Sequence, residues 1–427
     1  MKILVLSNTP WSIDNSFGNS FSNIFGGIEG LEFANIYCRY GEPHNNIVNR
    51  YFQITEKSLL RNLTNKNCPS GSEVLKTEQS DLLNVNEEKL FNHARKNRFQ
   101  IYFWLRNLVW KIGRWKSIEL KKFISDFNPD IIFQPVYYST YLNDIALFIK
   151  EYTNAPMLCY VSDDVYTLRQ FSLSPFYWIN RFIVRRKVRK VIKSCEILYV
   201  ISDIQKREYE KCFNKECRIL TKGADFTEEP YFKNSYNKPL ILVYTGNIGG
   251  SRWRMLEFIG RSLKLINAEG IKAKLLIYTM TPITNKMRKK LSIDNCVSLM
   301  GGVPSSEVAH IQKDADILVH VESFSLKERL QVHQSLSTKI VDYFAACKCI
   351  FAVGSMDMAS INYLSENDAA VIATSKKEIL EKIIEITNNS HLIHEYAQKA
   401  WECGKCNHQI DTIQSLLYND LNTIIRG

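Results

Sequence analysis

Leu240-Ile241-Leu242-Val243-Tyr244-Thr245-Gly246-Asn247-Ile248-Gly249-Gly250-Ser251-Arg252-Trp253-Arg254 joins a short apolar run to a glycine-rich turn, and a helix-period stretch follows at 255–266. An apolar run of this length, closed by glycines, predicts a buried strand, and the spacing after it predicts a helix packed back on that strand. This strand–turn–helix unit builds parallel sheets with crossover helices. It recurs. Ahead of it lie apolar runs at 3–6, 131–133, 157–161, 197–201 and 218–220; after it lie 274–278, 297–300, 317–321, 349–353 and 370–373. Between the two series runs a polar stretch with prolines near both ends, 227–239. The pattern predicts an α/β protein of two doubly wound, Rossmann-like domains facing a cleft. The boundaries read as 1–226 and 238–409, with 45–125 as loops and helices inserted in the first domain.

Composition bounds the function. A chain of 427 residues, 45% hydrophobic and 23% charged, has enough apolar content for two full cores. Its 11 cysteines are scattered, and the apolar run after Met1 stops at Asn8, short of a secretory signal. Reduced thiols in a cytoplasmic protein are therefore expected, and the absence of a run of ~20 apolar residues predicts no membrane-crossing helix. The net charge of +11 admits nucleic acid, an anionic membrane or a phosphorylated substrate as partner. Residues 95–122 hold Arg95, Lys96, Arg98, Arg106, Lys111, Arg114, Lys116, Lys121 and Lys122 against one acid, Glu119, interleaved with Phe99, Tyr102, Phe103, Trp104, Trp110 and Trp115. A second basic run from Arg181 to Lys193 follows Phe176-Tyr177-Trp178. Cations beside large aromatics suit the headgroup region of an anionic membrane; the plainer alternative is solvated helix faces over buried rings. No nucleic-acid-binding motif accompanies the charge, so that partner is not expected.

In doubly wound sheets, ligands sit beyond the carboxyl ends of the strands. At the turn after 240–245, Gly246 and Asn247 let backbone amides approach phosphate oxygens, and Arg252 or Arg254 adds a charge-assisted contact to a diphosphate; the alternative is glycine serving the turn alone. In Gln334-Ser335-Leu336-Ser337-Thr338-Lys339-Ile340-Val341-Asp342-Tyr343, a hydroxyl-bearing turn enters a helix. Ser337 and Thr338 stand at its start, and Lys339 and Asp342 lie three apart on roughly one side. Such a turn holds phosphates while the carboxylate accepts from ribose hydroxyls; the alternative is an N-capped surface helix. After 157–161 come Asp163 and Asp164, placed to orient or deprotonate an acceptor hydroxyl or merely to cap a helix. Cys403-Gly404-Lys405-Cys406 lacks the second pair that a zinc site needs. His320 and His333 stand alone.

The segment Ser337-Thr338-Lys339-Ile340-x-Asp342-Tyr343-x-Ala345-Ala346-x-Lys348 resembles the donor-site segment of retaining glycosyltransferases of family four, Pro-Ser-Lys-x-x-Glu-Tyr-x-Ala-x-Gly-Lys-Pro. Asp314–Ser323 is similar to the family's preceding strand, and Tyr244-Thr245-Gly246-Asn247-Ile248-Gly249 to its first loop of the second domain. The likeness covers about 240–375. It implies a GT-B architecture, a final helix at 410–427 returning to the first domain, and metal-independent transfer of a sugar from a nucleoside diphosphate-sugar with retention and no cofactor. Asp342 would hold the ribose, and Lys339 with Arg252 or Arg254 the diphosphate. Phe25-Gly26-Gly27-Ile28, read as a turn into the first helix, resembles the glycine pair that brings the first loop near the sugar. Three departures stand out: Asp342 for the usual Glu, Cys347 for Gly, and Cys349 for Pro. The paired-glutamate spacing is also lost to an expanded basic loop after Ser323, leaving Glu322 as first choice for the earlier acid and Glu328 behind it. The expected acceptor is a saccharide or lipid-linked saccharide of surface-polysaccharide assembly, met at the inner face of the membrane. Two rivals remain: a sugar-nucleotide epimerase, and a non-catalytic scaffold.

Overall fold

The computed structural model describes residues 1–13, 15–74 and 100–426. Fourteen strands among them form two sheets. The first comprises β1 (Lys2–Ser7), β2 (Glu32–Tyr37), β3 (Val48–Gln53), β4 (Ser72–Val74), β5 (Ile131–Pro135), β6 (Met157–Val161), β7 (Ile197–Val200) and β8 (Cys217–Ile219), in the order β4-β3-β2-β1-β5-β6-β7-β8. All pairs are parallel except β3 with β4. The second holds β9 (Leu240–Thr245), β10 (Ala273–Tyr278), β11 (Val297–Gly301), β12 (Ile317–Val321), β13 (Cys349–Val353) and β14 (Val371–Ala373), in the order β11-β10-β9-β12-β13-β14, all parallel. Strand order reverses at β1/β5 in one sheet and at β9/β12 in the other. These are the two points where a doubly wound fold opens a crevice.

Burial explains the arrangement. β5, β6, β12 and β13 are buried throughout, as strands covered by helices on both faces must be. In β1, Leu4 and Leu6 pack with the helices Ile118–Phe127, Thr140–Thr153 and Pro175–Ser194, while Ile3 and Val5 face helix Ser16–Phe25. Leu417 and Leu421 of the final helix, Ile410–Arg426, join that second cluster. The Tyr199 hydroxyl donates to Asp420 at 2.7 Å, so the chain's last helix is fastened to its first sheet.

The region 45–125 departs from its reading as inserted loops and helices, because β3 and β4 belong to the sheet itself. In β3 the polar Asn49, Arg50 and Gln53 stand among Val48, Tyr51 and Phe52. Arg50 pairs with Glu73 on β4 and lies over the Phe123 ring at 4.8 Å. Arg95, Lys96, Arg98 and Phe99 lie outside the described residues. The polar stretch before β9 is pinned to the second sheet by buried Asp316, which accepts from Lys233, from Asn237 and from the Ile241 amide.

Candidate active site

At the β9/β12 switch point three charged side chains converge. Arg252 opens the helix Arg252–Ile266, Glu322 follows β12, and Lys339 opens the seven-residue helix Lys339–Ala345. Arg252 donates Nε and Nη2 to the two oxygens of Glu322 at 2.9 and 3.1 Å, a bidentate pair that fixes the guanidinium plane. Lys339 donates to the Thr245 carbonyl at 3.0 Å and sits over the Tyr244 ring at 4.7 Å. Gly246 is needed here twice: its φ is +137°, and a Cβ on it would lie 2.5 Å from the Lys339 ammonium.

Burial sets the charges. It lowers the Lys339 ammonium, helped by nearby Arg252, to about 8. Burial raises the Glu322 carboxyl, against the pull of Arg252 and Lys339. His320, two residues before Glu322, is buried with neither ring nitrogen hydrogen-bonded, its Nε2 3.9 Å from a Glu322 oxygen. Burial, with Lys339 and Arg252, holds it far below the ordinary histidine range, so it is neutral. Two cations, one counter-carboxylate and partial desolvation make a site ready for an anion: the guanidinium keeps Nη1, and the ammonium two N–H, beyond the bonds above.

The turn between Gly246 and Arg252 is held by bonds of its own and by Thr281. Asn247 Oδ1 accepts from Gly249 N at 2.6 Å, Thr281 Oγ1 takes the Ile248 amide, and the amides of 252–254 bond to carbonyls of the turn. Of the amides from 246 to 252, those of Gly249 and Arg252 bond within the turn and those of Gly246 and Ile248 bond Tyr278 and Thr281, while those of Asn247, Gly250 and Ser251 make no hydrogen bond among the described residues. Asn247 thus shapes the turn, and Arg254 is exposed beside Trp253. At the second turn, the Ser337 amide is taken by Ser360 Oγ at 2.9 Å, and Thr338 caps without a side-chain bond. Asp342, half-buried, forms an ion pair with Lys222 of the first domain. The turn therefore borders the cleft. Ser335 Oγ donates to Asp163 at 2.7 Å, Ser202 Oγ to the Gln334 carbonyl at 2.6 Å, and Gln170 to the Leu330 carbonyl at 3.3 Å. The expanded loop after Ser323, which contains helix Leu326–Val332, is the piece that reaches across.

Two further readings change. Asp163 is exposed on the cleft, whereas Asp164 is not available to a substrate. Its oxygens take the amides of Tyr166 and Thr167, the Thr167 hydroxyl, Gln170 and buried Arg181. Gly26 and Gly27 leave the first helix rather than enter it, since Asn15 caps its start and Gly26 its end. Gly30 accepts from the Met1 amine at the start of β1, and Gly27 abuts Gln414 of the final helix. Reasoning from sequence assigns no role to Lys222, Thr281 and Ser360, none of which sits in a recognisable motif, nor to Tyr244, although it leads into the glycine-rich turn. Cys347, at φ +54°, occupies the left-handed position for which glycine is suited, and Cys349 is a buried residue of β13. Both departures thus touch backbone and packing rather than site chemistry.

Among the described residues, no cluster of three or more His, Cys, Asp or Glu is placed to hold a metal ion. No family model and no curated protein matches the chain by sequence. Solved structures do match. Anabaena Alr3699/HepE in complex with UDP aligns at TM-score 0.63 and 9% identity over 99% of this chain and 100% of that one. Sucrose-phosphate synthase from Thermosynechococcus elongatus aligns at 0.63 and 11%, over 99% and 100%. WaaG, a glycosyltransferase involved in lipopolysaccharide biosynthesis, aligns at 0.58 and 11%, over 100% of both chains. At such identities the likeness is one of fold, and the fold is GT-B: two Rossmann-like parallel-sheet domains facing a cleft, as in these neighbours.

Proposed function

We propose that this chain is a glycosyltransferase that moves a hexose from a nucleoside diphosphate-sugar to an acceptor hydroxyl, with retention and without a metal. The observation that carries the reading is the convergence of Arg252, Glu322 and Lys339 beyond β9 and β12. As the C1–O bond to the diphosphate breaks, the leaving group keeps the electron pair, and the two cations stabilise that charge where water is partly excluded. Glu322 holds Arg252 in its bidentate orientation and neutralises one charge in the empty site. Asp342 accepts from the ribose hydroxyls once Lys222 releases it. Asp163, on the opposite wall, orients the acceptor hydroxyl, whose oxygen forms the new bond to C1 and whose proton passes to the departing diphosphate oxygen. The acceptor is a lipid-linked saccharide of bacterial surface-polysaccharide synthesis, met at the inner face of the cell membrane. The exposed basic and aromatic helices of the first domain support that part of the reading.

The test is a panel of nucleoside diphosphate-sugars incubated with membrane-extracted glycolipid acceptors. Release of nucleoside diphosphate that requires acceptor, and that falls at least tenfold in Asp342→Ala, supports the reading. Release of nothing, or isomerisation of the donor alone, overturns it.

A further inference from the structure

The first domain carries a groove of about 1060 Å³ between helices Gln100–Ile112, Thr140–Thr153 and Pro175–Ser194. That is at or just above the usual ~300–1,000 Å³ of small-molecule sites. Leu108, Trp110, Leu147, Phe148 and Ile183 line it. Its floor is built: Trp110 stacks on Tyr141 at 4.2 Å with planes 9° apart and donates to Glu56 at 2.9 Å. Lys116 folds over the Trp115 and Phe148 rings at 5.3 and 4.9 Å. Lys111 and Arg114 are exposed at its rim. Of its two acids, Asp144 is paired with Lys187, and Glu151 is the other.

The floor of the groove is tied to the first sheet's switch point. The Tyr141 hydroxyl and Ser139 Oγ both donate to Asn8 Oδ1 at 3.0 Å, and Asn8 directly follows β1 at the first sheet's switch point. Leu108 of the lining, Leu105 on its helix, and Phe176 and Phe182 on the helix that carries Ile183 are each more than half exposed. Exposed apolar side chains concentrated on two helices beside an apolar groove favour an interaction surface over ordinary scatter. Here cations flank them, the arrangement that settles at an anionic bilayer surface.

We propose that this groove is a lipid-chain site. It takes one hydrocarbon chain of a phosphate-headed amphiphile from the bilayer, with Lys111, Arg114 and Lys116 on the phosphate. The inference takes its purpose from the transferase reading, but its test does not depend on that reading.

Decyl phosphate is titrated into the full chain and followed by tryptophan fluorescence, with inorganic phosphate and decyl maltoside alongside. Decyl phosphate binds saturably, inorganic phosphate does not, and decyl maltoside binds at least tenfold more weakly. Lengthening the chain by two methylenes tightens binding roughly tenfold. Leu147→Trp, which fills the groove, and Leu108→Glu, at its exposed mouth, each weaken decyl phosphate at least tenfold. Lys111→Glu with Arg114→Glu removes the preference for phosphate over maltoside. Uridine diphosphate binding, measured in the same variants, stays at its wild-type value, so failure of the groove and failure of the donor site are read separately. Equal binding by inorganic phosphate, or decyl phosphate binding untouched in both groove variants, overturns the proposal. So does a concentration-dependent dimer that Leu105→Glu dissolves, which assigns the face to a second copy of the chain.

Discussion

The crevices at β9/β12 and β1/β5 share a topology and differ in chemistry. Beyond β9 and β12 the chain places Arg252, Glu322 and Lys339 within each other's fields. Beyond β1 and β5 it places Asn8, Ser139 and Tyr141, a neutral network with an apolar groove behind it. The first domain does own a charge pair, Asp164 with Arg181, but buries it, with side-chain exposures of 0% and 2%. Parallel winding fixes where a ligand can sit. The few residues after each strand decide whether that place receives an anion or an amphiphile.

Breaking the buried pair gives the largest expected effect. Asp164→Ala strands the Arg181 guanidinium with backbone carbonyls alone, at a cost of about 3–5 kcal/mol. Urea unfolding measures this loss, and folded Asp164→Ala still binds nucleoside diphosphate as the wild type does. If Asp164 instead acted on substrate, activity would collapse with stability intact.

Breaking the donor-site cluster is read first in ligand affinity. Arg252→Met and Lys339→Met each remove a charge-assisted contact of ~1.5–3 kcal/mol, about 10–150-fold in nucleoside diphosphate affinity. Arg252→Met also strands buried Glu322 and lowers the unfolding midpoint, whereas Lys339→Met relieves a buried ammonium and raises it. Calorimetry and denaturation on the same samples separate the two outcomes.

A pH series sharpens the contrast. Lys339 titrates near 8 in the folded chain, below its ordinary value of 10.5. Above about 8 the ammonium is lost and diphosphate affinity falls by up to about tenfold per pH unit, whereas Lys339→Met shows no such fall. Stability moves oppositely, because between the two values the unfolded chain binds more protons. The Lys339 contribution therefore rises with pH across that window.

The smallest effect belongs to the link between the halves. The Lys222–Asp342 pair is partly exposed, so Lys222→Met costs under about 1 kcal/mol in stability. It also frees Asp342 and tightens nucleotide binding a few-fold. Weaker binding in that variant would mean that Lys222 itself contacts the ligand.

Much of the second half was legible because its signals are local: β9, its turn and the Lys339 helix announce themselves within a dozen residues. The first half was harder because its signals are distant. β2 holds buried Asn35, which bonds Val5, Ser7 and Trp11 rather than water, so the strand looks interrupted. The fate of Asp164 depends on Arg181, seventeen residues on, and that of Gly26 on recognising Asn15 as the helix's cap. The aromatic and basic composition of 100–116 was visible, but a groove needs Leu147 and Ile183 from two other helices.

The most direct test of the account is calorimetric titration of a panel of nucleoside diphosphates into the full chain, its Lys339→Met variant and its Arg252→Met variant. The account predicts one saturable site for at least one diphosphate, weakened at least tenfold by either change. Absence of binding by every diphosphate, or wild-type affinity in both variants, would contradict it.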